Sequence, residues 1–334
     1  MEGRILRLAI GAVTAGAAVL GVGCTAGSRS GSVKQPSPAA SQVLSIPFTV
    51  TARYTTKMLG LSHPDALAIG PDGNLYVTDL SQRVTVISPT GKVLRRWGKP
   101  GSAPGEFNFI AFDPTTPDDI HGKIAVGPHG MVYVSDSGNS RVQVFTPQGR
   151  FVRLFGSFGS GKGQFLHASD LVVDQAGNVY VADEQALTVT KFSPAGQVSW
   201  HIGSPSGNPD LIGHHHLAAI DPHGRLVMVN DDLQKILYVD PSGHEVDAFS
   251  PHYPANFPIG GACEVTVDAA GDTYVSGCGA GPTLVFDRAH RLIAKWPGTP
   301  YSLLRSPVFG PHGEVFALAR DGTILRLRIT LPGA

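Results

Sequence analysis

Apolar and polar positions along this chain fall into short blocks, and the blocks recur. LVVDQAGNVYVAD, residues 171–183, sets two apolar runs around a turn carrying Gly177, the pattern of a β-hairpin. The pattern returns as LAIGPDGNLYVTD from Leu67, IAVGPHGMVYVSD from Ile124, AAIDPHGRLVMVN from Ala218, VTVDAAGDTYVSG from Val265 and PVFGPHGEVFALA from Pro307. The turn glycines Gly73, Gly130, Gly177, Gly224, Gly271 and Gly313 are separated by 57, 47, 47, 47 and 42 residues. Four units continue into a second hairpin turning at Pro-x-Gly: RVTVISPTGKVLRRWG from Arg83, RVQVFTPQGRFVRLFG from Arg141, TVTKFSPAGQVSWHIG from Thr188 and KILYVDPSGHEVDAFS from Lys235.

Two hairpins make four strands per unit. A strand-rich unit repeating every ~40–50 residues is a β-propeller blade. The strands lack strict polar alternation, as expected when neighbouring blades cover both faces. The pattern therefore predicts an all-β, six-bladed β-propeller with four-stranded blades starting near residues 64, 121, 168, 215, 262 and 304. The last unit ends with TILRLRIT, residues 323–330, one strand short. IPFTVTARYTTKM, residues 46–58, is β-rich and is expected to complete that blade, closing the ring and removing an open edge. The step of 57 residues implies an insertion before the second blade, placed at FNFIAFDPTTPDDIHG, residues 107–122, and expected to project over the channel mouth.

In YVSDSGNSRVQVF, Asp136, Asn139 and Arg141 link the two hairpins, and here the chain resembles NHL repeats. Asp79 and Arg83 match with a shorter loop, Asp183 faces Thr188 instead of a basic residue, blade four has Asn230 and Lys235, and blades five and six depart further. The resemblance spans about residues 46–330 and implies an NHL-type six-bladed propeller. It leaves function open, since related propellers include kinase sensor domains, lactone hydrolases, lyases and interaction platforms. The Asp–Arg pairs are read as structural ties from one strand end to the next.

Residues 1–23 place Arg4 and Arg7 before the apolar run LAIGAVTAGAAVLGVG, which reads as a signal peptide. It ends at Gly23–Cys24, which resembles the bacterial lipobox, so Cys24 is the expected lipid attachment site, with Gly21 where the pattern has Leu. Residues 24–44, rich in Ser, Gly, Ala and Pro, are expected to form a flexible tether to the propeller at 45–334. The other two cysteines, Cys263 and Cys278, flank one hairpin, and a turn at Ala270–Gly271 sets them opposite each other as a candidate disulfide, worth about 3 kcal/mol. A disulfide fits an exported chain; a pair of metal-binding thiols is the competing reading.

Lys plus Arg and Asp plus Glu both number 26, with no basic stripe, so nucleic acid is not an expected partner. GSFGSGKGQF, residues 156–165, is read as an inter-blade loop and not a phosphate loop, and no nucleophile elbow appears. His129, His223 and His312 occupy Pro-His-Gly turns and are read as turn residues on the far face. The inter-blade connections and the starts of the innermost strands share the face around the channel. His63, Asp65, His121, His167, Asp170, His214, His215, His216, Glu264 and Arg305 gather there as candidate ligand or metal contacts. Converging imidazoles with a carboxylate could hold Zn²⁺ or Ca²⁺, though no cofactor or catalytic residue is assigned. The expected function is a cell-envelope lipoprotein whose propeller binds a protein, peptide, glycan or small ligand, touching the membrane only through its lipid. The alternative is a metal-dependent lyase or lactone hydrolase working in the central funnel.

Overall fold

In the computed structural model the described residues are 44–45, 48–109, 122–203, 215–230, 232–251, 262–277, 283–296 and 307–329. They open with β1 (Leu44–Ser45), β2 (Phe48–Tyr54) and a single helical turn, α1 (Thr56–Leu59). Six antiparallel sheets follow around a ring. Blade 1 holds β3 (Pro64–Ile69), β4 (Leu75–Asp79), β5 (Arg83–Ile87) and β6 (Val93–Trp97). Blade 2 holds β7 (Ile124–Val126), β8 (Val132–Asp136), β9 (Arg141–Phe145) and β10 (Phe151–Phe155). Blade 3 holds β11 (Ala168–Val173), β12 (Val179–Asp183), β13 (Thr188–Phe192) and β14 (Val198–Gly203). Blade 4 holds β15 (His215–Ile220), β16 (Leu226–Asn230), β17 (Lys235–Val239) and β18 (Glu245–Phe249). Blade 5 holds β19 (Ala262–Val267), β20 (Thr273–Gly277), β21 (Thr283–Phe286) and β22 (Leu292–Trp296). Blade 6 holds β23 (Val308–Phe309), β24 (Val315–Leu318) and β25 (Ile324–Ile329), and β2 is its fourth strand.

The expected closure is present: β2 runs antiparallel to β25, from Phe48 opposite Ile329 to Tyr54 opposite Ile324. The strand is shorter than the β-rich stretch 46–58. Thr55 caps α1 by accepting the Met58 N–H at 3.2 Å, and Gly60 ends it at φ 60°, so residues 56–59 leave the sheet. The sequence also gave no sign that β1 would lie parallel to β22, Leu44 beside Ala294, making blade 5 a five-stranded sheet.

The second strands are buried throughout, from Leu75–Asp79 in blade 1 to Leu226–Asn230 in blade 4, which is why they read as continuous apolar runs. The outermost strands β6 and β10 alternate between half-buried and exposed. The core is accordingly divided into layers between neighbouring blades. Ala66, Tyr76, Val84 and Val86 of blade 1 meet Val132, Val134 and Phe145 of blade 2, with Phe107 and Phe109 between them. The start of the inferred insertion is thus packed in the core and does not project; residues 110–121 lie outside the described residues. Because apolar surface is buried between blades, the axis itself stays hollow.

Candidate functional site

Each innermost strand starts near the ring axis, and three of them begin with the same irregularity. The register shifts between Pro64 and Ala66 in β3, between Ala168 and Asp170 in β11, and between Ala262 and Glu264 in β19. The residues left over are Asp65, Ser169 and Cys263. Such bulges twist a strand and re-aim the residues beside them, and they recur next to binding sites.

Around the axis the innermost strands line a cavity of about 330 Å³. Seven residues before the turn glycine stand Ala66 in blade 1, Lys123 in blade 2, Asp170 in blade 3 and Glu264 in blade 5, all on the cavity wall. Lys123 Nζ lies 3.8 Å from Glu264 Oε1, so an ion pair spans the channel between opposite blades. Four residues before the turn glycine stand Ile69, Val126, Val173, Ile220, Val267 and Phe309, one from each blade, all half-buried and all on the same wall. The cavity is therefore charged at one end and apolar at the other.

Lys123 is held in place by its neighbours. Its N–H donates to Ser135 Oγ at 2.9 Å, and its carbonyl accepts the Ser135 N–H at 2.9 Å. The preceding Gly122 donates its N–H to Asp65 Oδ2 at 3.0 Å, and its carbonyl accepts from Thr78 Oγ1. Asp65 thus joins blade 1 to blade 2 directly behind the lysine. Lys123 was absent from the sequence candidates because a lysine beside a strand start reads as a solvated charge. Its one signal was its place in the same repeat column as Asp170 and Glu264.

The other described histidine candidates, His63 and His167, differ in their surroundings. His63 is exposed at φ 45°, with Nδ1 3.5 Å from Ser62 Oγ. His167 is buried, and its N–H donates to Asp183 Oδ1 at 3.2 Å. His215 and His216 open β15, and their side chains, with His121, His214, Arg305 and Cys24, lie outside the described residues. Among the described residues no three His, Cys, Asp or Glu side chains are grouped to hold a metal ion. In β19, Ala262 pairs with Gly277 and Glu264 with Ser276, so Cys263 is the bulge residue between them. The Cys263 side chain and Cys278 lie outside the described residues. The Pro-His-Gly histidines are turn residues, with His129 at φ 60°.

The Asp–Arg ties are structural. Asp136 Oδ2 accepts from Arg141 Nε at 2.7 Å and Gln143 Nε2 at 2.9 Å, while Oδ1 accepts the Asn108 N–H at 2.7 Å. Asp79 stands 3.6 Å from Arg83 Nε and accepts the Ser62 N–H at 3.1 Å. Burial pushes the carboxyls of Asp79, Asp136 and Asp183 above the ordinary carboxylate value, against the pull of these donors.

Comparison with known proteins agrees on the architecture. A family model described as a 6-bladed beta-propeller matches residues 120–197. A streptogramin B lyase structure superposes with a TM-score of 0.57 at 12% identity, covering 85% of this chain and 98% of that one. A catalytically inactive virginiamycin B lyase from Staphylococcus aureus with quinupristin gives 0.55 at 14% identity, covering 85% and 100%. At such identities the likeness is one of fold. The peptidyl-glycine alpha-amidating monooxygenase of Mus musculus is 34% identical over 116 residues, 30% of this chain, and the matched part spans 10% of that protein's length. The Rattus norvegicus enzyme matches at the same identity over 11% of its length. The fold is a six-bladed β-propeller.

Proposed function

We propose that this chain is an exported envelope protein, anchored through a lipid on Cys24, whose propeller binds a ligand or partner at the channel mouth. The observation carrying this reading is the axial cavity, lined by all the innermost strands and crossed by the Lys123–Glu264 pair. A concave cavity that combines apolar side chains with a few placed charges is the usual form of a small-ligand site. The tether and the Cys263–Cys278 bridge belong to the same proposal, since both suit an oxidising compartment.

A metal-dependent lyase is the second reading. The stretch shared with the amidating enzymes and the lyases among the fold neighbours favour it, as do the histidines along the same face. Metal analysis of the full chain, purified without a His tag from an oxidising compartment, separates the two. Saturable ligand or partner binding lost on Lys123→Ala or Glu264→Ala, without stoichiometric metal, supports the binding protein. Stoichiometric zinc or calcium, lost together on His167→Ala and His216→Ala, overturns it in favour of the lyase.

A further inference from the structure

Charge is spread unevenly around the rim of the ring. The outer turn, outermost strand and crossing loop of blade 1 (residues 88–109) carry Lys92, Arg95, Arg96 and Lys99, and those of blade 2 (residues 146–167) carry Arg150, Arg153 and Lys162. Glu106 is the one carboxylate in either stretch, and it pairs with Lys99 at 3.0 Å. Arg95, Arg96 and Arg153 donate to the carbonyls of Pro147, Leu59 and Pro194, which are neutral acceptors, so their charge stays uncancelled. Blades 3 to 5 differ. Residues 193–203 of blade 3 hold no Asp, Glu, Lys or Arg, and β18 with its turn holds Asp240, Glu245 and Asp247. In blade 5, Arg291 is paired with Asp287 at 2.6 Å, and β1 lies along the outermost strand. Exposed apolar side chains gather on the same two rims as the cations. Leu94 stands on β6, Val152 and Leu154 on β10, and Phe158 on the loop beyond, 75% exposed. Met58 of α1, 67% exposed, adjoins them, since Arg96 donates to the carbonyl of the next residue, Leu59. Among the described residues the other exposed large apolar side chains are Leu233 and Val246, both in blade 4.

Resting on the exported, membrane-tethered reading above, we propose that the outer wall of blades 1 and 2 docks on an anionic membrane surface, its lysines and arginines against lipid headgroups and Phe158 at the acyl boundary. The arrangement favours a membrane over a protein. Protein interfaces gather apolar side chains into a core depleted of Lys. Here single apolar residues stand between cations, the composition of a surface that lies in the headgroup layer. A lone aromatic in the Gly- and Ser-rich run SFGSGKG, residues 157–163, is an anchor of the kind that the interface holds. The tether permits the approach. Roughly 20 residues extend to ~65 Å, beyond the ~50 Å width of a domain this size. Blades 1 and 2 can therefore reach the surface although β1 joins the ring at blade 5. With this rim down, the axis runs along the membrane, and the channel mouth opens beside the bilayer and stays free for a ligand.

The test uses the full chain with Cys24→Ala, so that no lipid is attached, and vesicles of phosphatidylcholine with and without about 30% phosphatidylglycerol. Phe158→Trp supplies a reporter, read against the same chain without it, because the apolar residues 1–23 can partition by themselves without moving that signal. The added tryptophan is expected to shift to the blue and to be quenched by brominated lipid on anionic vesicles alone, and high salt should abolish both. Arg150→Glu with Lys162→Glu is expected to weaken partition at least about tenfold, and Phe158→Ser about tenfold. These side chains are exposed, and unchanged urea midpoints establish that the ring stays folded. An unshifted reporter overturns the proposal, and so does partition unmoved by the charge reversal. Equal affinity for soluble polyglutamate with the reporter unshifted assigns the wall to an acidic protein and overturns it too. The channel reading keeps its own test in each case, and mass spectrometry of the unmutated chain reports separately on a lipid at Cys24.

Discussion

Two crossing loops, residues 98–109 into blade 2 and 156–167 into blade 3, are built to one plan and fastened differently. In each, a glycine at φ 95° or 94° leaves room for a fully buried phenylalanine, Phe107 or Phe165. In each, a parallel bridge follows, Pro100 to Phe107 and Phe158 to Phe165. In each, an aspartate at the end of the blade's second strand accepts a loop N–H: Asn108 donates to Asp136 and Leu166 to Asp183. The first loop has a further fastening. Arg141 donates to the carbonyls of Ser102, Ala103 and Glu106, and Gln143 both donates to Glu106 O and accepts the Gly105 N–H. At the positions of Arg141 and Gln143, blade 3 has Thr188 and Thr190, and Thr190 instead meets His201 Nδ1 at 2.7 Å. The second loop also holds Phe158 at 75% exposure. Blade 3 therefore fixes its crossing loop without a guanidinium, through Asp183 together with the Ser140 hydroxyl, which donates to the Leu166 carbonyl at 3.5 Å.

Breaking the fuller fastening should cost most. Asp136→Ala leaves the Arg141 guanidinium buried without its carboxylate, and a loss of about 3–5 kcal/mol is expected from urea unfolding. The double change Asp136→Ala with Arg141→Met should cost less than the single one; an equal or larger loss would show that the pair's charge is not what matters. Asp183→Ala removes an acceptor for backbone N–H groups without orphaning a guanidinium, and about 1–3 kcal/mol is expected by the same measurement. Gly98→Ala and Gly156→Ala test what the loops share. A Cβ would meet the rings of Phe107 and Phe165 at 2.5 and 2.7 Å, so both should lose stability by a similar ~2–3 kcal/mol, and a large difference would break the parallel.

The smallest effect concerns pH. Burial, then the nearby Lys162 charge, holds the His201 imidazole below its ordinary 6.5. The unfolded chain then takes the proton first on acidification, so the stability this histidine contributes is complete above about pH 6.5 and is lost as pH falls below it. His201→Gln should flatten the fall in the urea midpoint between pH 7.5 and 5.5; an unchanged slope would mean that another group carries it.

The repeat column made much of the fold legible. Gly73 and its counterparts marked each inner hairpin, because a tight turn needs a residue that accepts positive φ, as Gly177 does at 81°. The strand-rich stretch before Leu67 marked the closing strand. Of the histidine candidates, His63 is exposed and His167 buried, a difference that their neighbouring places in the repeat did not reveal. Phe107 and Phe109 were placed on a projecting loop because an insertion was inferred from length; packing placed them in the core.

What the sequence by itself determined is the count of blades, their hairpins and the strand that closes them, since turn chemistry and apolar runs act over a few residues. Only the tertiary structure decided that β1 would cross to blade 5, and that Lys123 would meet Glu264, 141 residues later, across the axis. A repeat fixes where each side chain stands within its own blade, while closing the ring sets opposite blades within reach of one another. That step depends on how every blade packs on the next.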